Sequence, residues 1–342
     1  MSNSKASKVL VTTPDYFPKL GGLSSFTRNI ETTLTQLGIP YQLYIWQSFQ
    51  ELMLNPIRTE GYKAVINIHF LGAMASQTTQ IPVLTFFHGS EILFYSPNIF
   101  KRIIKIIQKN KILRKIEQNT LNIFISEFTL NKIKALGLQE DIARDLVVHN
   151  GIDCQDAQLI SKNLDEGPLT LICVARDVPH KNLEGAVILA RNLFKVAKCP
   201  IKLMLTADRQ WPAIEGVEII SLRRPTPAIL KDLVAHAHFN LLLSLDHSTQ
   251  GYFEGFGLSA LEAGMFGTPT LAFPTGGLPE NIHHGLNGYL IPSDNLVDVT
   301  FWYEQLNKEN YEKLRKSTYK HTVENHSLKV YEKIFSNWQD LK

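Results

Sequence analysis

Cysteine is scarce in this chain. Cys154, Cys173 and Cys199 form an odd, widely spaced set of three; Cys173 sits in an apolar run and Cys199 just before Pro200. Such a set argues for buried thiols in a reducing compartment over disulfides or a metal site. No run approaches the ~20 apolar residues that a membrane-spanning helix needs. The first thirteen residues hold no long apolar stretch, so no signal peptide is expected. Neither sign of charge prevails: 35 Lys and Arg against 32 Asp and Glu leave +3, too little to argue for nucleic acid. Repeats and low-complexity tracts are absent. No G-x-G-x-x-G follows the first strand-like run, so the dehydrogenase fingerprint is missing. These absences leave a cytoplasmic protein, or one held peripherally on the cytoplasmic face of a membrane.

What is present is regular. A chain of 342 residues with 44% hydrophobic and 20% charged residues has material for two well-filled domains. Strand-like runs fall at Lys8–Thr13, Tyr41–Trp46, Ala64–His69, Val83–Phe87, Leu121–Ser126 and Leu146–His149, with helical stretches at Leu23–Leu37, Ile99–Gln118 and Glu127–Leu136. A polar stretch from Gln155 to Pro168 reads as a linker. Strands then resume at Leu169–Ala175, Ile201–Thr206, Val217–Ser221 and Phe239–Ser244, and Tyr311 to Lys342 is helical in pattern. Apolar strands alternating with helices predict parallel sheets covered on both faces, hence two doubly wound α/β domains with ligands at the carboxyl ends of the strands.

The most informative stretch is Glu254-Gly255-Phe256-Gly257-Leu258, followed by Glu262 and, downstream, Gly276-Gly277-Leu278-Pro279-Glu280. It reads as a loop, a helix starting near Leu258, a strand and a second glycine loop. The glycines leave backbone N–H groups open at a helix start, a place for an anion. Glu254 would repel a phosphate there, so the two carboxylates suit neutral hydroxyls. Glu262, about one helical turn in, can point into the same cleft. Anion plus hydroxyls describes a nucleotide sugar. At the exit of Leu169–Ala175, Arg176 and Lys181 precede another helix and form a diphosphate clamp, with Asn182 as a candidate cap. In the first half, Gly21-Gly22 opens a helix after the first strand, His88-Gly89 ends an apolar strand, and His69 ends another, where a packed or capping role is at least as plausible.

This order of residues resembles the retaining, GT-B-fold glycosyltransferases that carry a Glu-x7-Glu motif (glycosyl transferases group 1, family 4). The resemblance implies two Rossmann-like domains facing across a cleft: an acceptor-binding domain over 1–165, a donor-binding domain over 166–325 and a terminal helix over 326–342 crossing back to the first. It implies that Glu254 meets donor-sugar hydroxyls and Glu262 the ribose. Arg176 and Lys181 would take the diphosphate, and Gly21, Gly22, Gly255, Phe256, Gly257 and Leu258 would line the donor. His88, with Glu254, Arg176 and Lys181, would belong to the reaction centre. The expected reaction is retaining transfer from a nucleoside-diphosphate sugar to a hydroxyl of a glycan or lipid-linked acceptor in cell-envelope polysaccharide assembly. No Asp-x-Asp occurs, so no cofactor or metal is expected. The chain departs from the family at Thr206–Gln210, which replaces a glycine-rich turn, and in the long loop between Ser244 and Glu254.

One further segment stands out. Residues 100–116 carry seven cations and no acid, with isoleucines at helical spacing. Lys101, Arg102, Lys105, Lys109 and Arg114 would form a basic face suited to an anionic membrane or to the acceptor; RNA is disfavoured for want of interleaved aromatics. The alternative from another class is a non-catalytic nucleotide-sugar-binding or membrane-surface scaffold of the same fold.

Overall fold

The protein is described here by a computed structural model covering residues 8–17, 21–75, 81–89, 99–107, 109–139, 141, 143–197, 199–292, 303–304 and 306–338. It divides into two compact units. One comprises the chain up to Asp153, the loop Ser248–Phe256 and the stretch from Leu328; the other comprises Cys154–His247 and Gly257–Ser327.

The first unit is a parallel sheet of β1 (Val9–Thr13), β2 (Tyr41–Ile45), β3 (Ala64–Asn67), β4 (Val83–Phe87), β5 (Leu121–Phe124) and β6 (Asp145–Val147), in the order β2-β1-β3-β4-β5-β6. Its helices are α1 (Gly22–Gln36), α2 (Phe49–Leu54), α3 (Phe70–Ala75), α4 (Ile99–Ile107), α5 (Lys109–Glu117) and α6 (Glu127–Lys134). β1, β3 and β5 are buried along their whole length, which is why they read as largely apolar runs, their Thr12, Thr13, Asn67 and Asn122 being buried with them. α4 and α5 flank Gln108, which lies outside the described residues, where the spacing predicted one helix. The short α2 and α3 escaped the sequence reading, since six residues hold too few turns for a helical period.

The second unit repeats the plan. Its sheet contains β7 (Leu169–Cys173), β8 (Ile201–Leu205), β9 (Val217–Ser221), β10 (Phe239–Leu242), β11 (Thr270–Ala272) and β12 (Gly288–Leu290), all parallel, in the order β12-β11-β10-β7-β8-β9. α7 (Leu183–Ala197), α8 (Pro227–His236), α9 (Leu258–Gly264), α10 (Leu278–Asn281) and α11 (Lys308–Asn325) complete it. The polar stretch expected as a linker is a strap on this unit. The Gln158 and Ile160 N–H groups donate to the carbonyls of Met265 and Phe266, and the buried Arg315 guanidinium takes the Ile160 carbonyl and Glu312. Lys162 in the strap donates to Thr268.

The C-terminal helical pattern resolves into α11 and α12 (Lys329–Trp338), because His326 leaves the helical region at φ −126°, ψ 25°. α12 belongs to the first unit. Its buried Tyr331 ring packs edge-on against Phe26 of α1 at 5.6 Å, and its hydroxyl accepts from the Gly151 N–H at 2.9 Å.

Candidate functional site

In a doubly wound sheet the strand order reverses at one point, and the loops leaving the carboxyl ends there diverge to form a crevice. In the second unit that point lies between β7 and β10. The loops after these strands are tied together: the Asn182 side chain donates to the Leu243 carbonyl at 3.1 Å, and the Leu245 N–H donates to the His180 carbonyl at 2.8 Å. Asn182 is left-handed (φ 53°), and its Oδ1 accepts from the Gly185 N–H at 3.1 Å, capping the start of α7. Arg176 is exposed and Lys181 half-buried on this same β7–α7 connection. Lys181 lies close enough to Cys173 to oppose the burial that pushes that thiol up to about 12.

The glycine loops meet beside them. Gly257 has φ 85°, and a methyl group on it would come within 2.7 Å of Leu278 and 2.9 Å of Leu242. Its carbonyl accepts from Asn281 at 3.1 Å, while the Thr275 hydroxyl donates to the Ser244 carbonyl at 2.6 Å. The start of α9 at Leu258 and the half-buried Glu262 on it are therefore fixed beside the ends of β10 and β11.

The segment that departs from the family pattern supplies a feature that motif reading missed. Arg209 pairs with Asp177 at 3.1 Å and Glu184 at 2.7 Å, and its guanidinium lies 4.0 Å over the Trp211 ring. The Thr206 hydroxyl clips β8 to the β7 exit by donating to the Ala175 carbonyl at 2.6 Å. The signal in the sequence was only that glycine had been replaced there.

In the first unit the strand order reverses between β1 and β3. Gly21 and Gly22 follow β1, His69 follows β3 and His88 follows β4, so all stand at the carboxyl edge of the sheet. Gly21 caps α1 without a side-chain cap. His88 is half-buried, edge-on to Phe26 at 4.3 Å, and is hydrogen-bonded to the Ile68 backbone; desolvation pushes its pKa down to about 4. His69 takes the capping role: its Nδ1 accepts from the Leu71 N–H at 3.2 Å. Burial, with His88 nearby, pushes it down to about 3. Both imidazoles are neutral at physiological pH. Ser126 is likewise a cap, accepting from the Thr129 N–H at 3.1 Å.

Against this edge packs the loop Ser248–Phe256. A methyl on Gly255 would lie 2.1 Å from the His88 carbonyl oxygen, so the two backbones touch. Phe256 is buried with its ring 4.9 Å from that of His149. The half-buried Glu254 thus belongs to the first unit and Glu262 to the second.

Of the basic segment, Arg102 and Arg114 are exposed and Lys109 is partly so. The side chains of Lys101 and Lys105 lie outside the described residues. α5 turns Leu113 and Ile116 into the core beside Phe70 and Phe124, whereas α4 leaves Ile99 (66%), Phe100 (75%), Ile103 (48%) and Ile106 (54%) exposed.

Comparison with known proteins agrees with this architecture. The family described as Glycosyl transferases group 1 matches residues 168–301. The amylovoran biosynthesis glycosyltransferase AmsK of Erwinia amylovora is 26% identical over 239 residues, covering 67% of this chain and 57% of that protein. Among solved structures, Anabaena HepE in complex with UDP and glucose superposes with a TM-score of 0.68 at 17% identity, over 98% of this chain and 100% of that one. Sucrose-phosphate synthase from Thermosynechococcus elongatus gives a TM-score of 0.71 at 14% identity, over 98% and 99%. At such identities the structural likeness establishes the fold, which is GT-B. The match to the Glycosyl transferases group 1 family, over residues 168–301, lies within the second unit apart from the loop Ser248–Phe256, and the chain spans less than two thirds of the AmsK relative's length.

Proposed function

We propose that this protein transfers a sugar from a nucleoside-diphosphate sugar to a hydroxyl of a glycan or lipid-linked acceptor, with retention of anomeric configuration. The observation that carries the reading is the crevice at the β7/β10 reversal, where Arg176 and Lys181 stand on a loop tied to the strand that leads into the glycine-rich loop and α9. Two cations there would meet a diphosphate whose charge grows as the sugar departs, so they stabilise the transition state more than the ground state. Glu254 and Glu262 would hold sugar and ribose hydroxyls. His88 would position the donor: a neutral imidazole does not repel an anomeric carbon that becomes positive. The departing phosphate would take the acceptor proton on the face it leaves, with no protein nucleophile and no metal.

The UDP and glucose held by the HepE structure support a nucleotide sugar as donor, and the amylovoran relative supports polysaccharide assembly as the setting. No helix among the described residues is long and apolar enough to cross a membrane. We place the protein in the cytoplasm, reaching an anionic membrane surface through α4.

The test is thermal stabilisation by UDP, GDP, ADP, dTDP and their sugars without added metal, in wild type and Arg176→Ala. A nucleotide at ~100 times its dissociation constant adds about 2.7 kcal/mol, roughly a few degrees. One nucleotide whose shift disappears in the variant, with release of free nucleoside diphosphate from its sugar, supports the transferase. A shift without turnover would favour the non-catalytic scaffold, and no shift at all would overturn the donor site.

A further inference from the structure

The long loop that ends at Glu254 departs from the family pattern, and its conformation is held by one aromatic side chain. Gly89 has φ 139°, and a methyl on it would come within 2.9 Å of Phe253 Cε2 and 3.6 Å of the Gly255 Cα. The Phe253 ring therefore lies on the His88–Gly89 backbone from one side while Gly255 meets the His88 carbonyl. The same ring is buried and stands edge-on to Phe128, the second residue of α6, with centroids 5.0 Å apart. Lys132, one turn further along α6, covers the Phe128 ring at 4.9 Å and donates to the Ser248 hydroxyl at 3.2 Å. The loop is thus pinned at both ends to the connections that leave β4 and β5.

We propose that Phe253 is a positioning residue: seated on Gly89 and Phe128, it sets the Glu254 backbone in register with His88. This rests on the reading of Glu254 and His88 as parts of the transferase site. Residues 248–252 have small or polar side chains apart from Tyr252, which is 43% exposed, so the loop brings little apolar surface of its own. Phe253 supplies the apolar seat of the loop, between Gly89 and Phe128. The peg therefore acts through the placement of the neighbouring carboxylate and touches no substrate.

The experiment compares wild type, Phe253→Ala and Phe253→Leu by hydrogen exchange and by steady-state kinetics with whichever nucleotide sugar the protein turns over. In Phe253→Ala, the amides of residues 253–256 and 88–89 should lose protection together. kcat should fall by about 10- to 100-fold, the loss expected for a misplaced reacting group, with donor KM and the stabilisation by free nucleoside diphosphate nearly unchanged. Phe253→Leu, which keeps an apolar peg, should recover most of both. Unchanged exchange in the alanine variant would overturn the proposal, as would a lowered melting temperature with kcat within about two-fold of wild type. Were wild type to turn over no nucleotide sugar while Phe253→Ala still freed both segments, the transferase reading and with it the carboxylate-positioning role would fall, leaving the peg as packing.

Discussion

A methyl group on Gly255 would meet the His88 carbonyl oxygen at 2.1 Å and Ile125 at 2.9 Å, whereas one on Gly38 would meet nothing within 4 Å. Gly38 needs glycine only for its left-handed backbone, at φ 64°. The two positions therefore separate strain from crowding. Gly38→Ala should cost about 1 kcal/mol, the penalty for a side chain in that region. Gly255→Ala should cost about 3 kcal/mol, because the obstructing atom belongs to backbone and cannot rotate away. Urea unfolding of the two variants checks the difference; equal losses would mean that the loop does not lie on His88. The order of glycines around Glu254 was legible in the sequence as a motif. The reason for Gly255 was not, since its neighbour in space is far away in the chain.

Among the elements, α4 asks for explanation, because four of its large apolar residues face outward on a helix that carries cations and no acid. On the proposed reading such a face would lie at a membrane boundary, with each cation near an anionic surface contributing about 1 kcal/mol. The protein should co-sediment with vesicles containing phosphatidylglycerol and not with phosphatidylcholine alone, and binding should weaken as salt is raised. The double variant Ile103→Glu, Ile106→Glu should reduce vesicle binding by about ten-fold or more, leaving turnover of soluble donor unchanged. Equal binding to neutral vesicles, or none to either kind, would remove the membrane from the account. The sequence showed the cations and the helical spacing. It did not show that α5 buries its apolar side while α4 exposes one, because both carry the same periodicity and only the packing tells them apart.

For the whole molecule, the buried bases give stability a definite dependence on pH. Lys162 is pushed down from 10.5 to about 6 by burial, with Arg315 adding to the shift; His69 and His88 fall from 6.5 to about 3 and about 4. In each case the unfolded chain binds a proton that the folded protein refuses, so stability rises with pH across the interval between the two values. Lys162 alone should add on the order of 2–3 kcal/mol between pH 7 and 9, and the histidines should remove stability as pH falls below 6.5. Above pH 10 the trend reverses, because burial raises the Tyr311 and Tyr331 phenols and the unfolded chain loses those protons first. Melting temperatures from pH 5 to 11.5 test this. Lys162→Met should abolish the gain between pH 7 and 9, and a wild-type curve flat over that interval would refute the burial of a neutral lysine.

Strand and helix periods are local properties, carried by neighbours two to four residues apart. For that reason the sequence by itself determined two doubly wound α/β sheets and placed the apolar strands within a residue or two of their ends. It also determined the cap at Asn182, whose partner lies three residues on. Joining distant segments is another matter. Asn182 reaches a carbonyl 61 residues away and Tyr331 an amide 180 residues away, and Phe253 settles on Gly89. Such pairings carry no periodic trace, because they form only when packed sheets and helices bring the segments within reach. The tertiary structure alone decided that Glu254 stands with His88, that the expected linker is a strap, and that α4 faces outward.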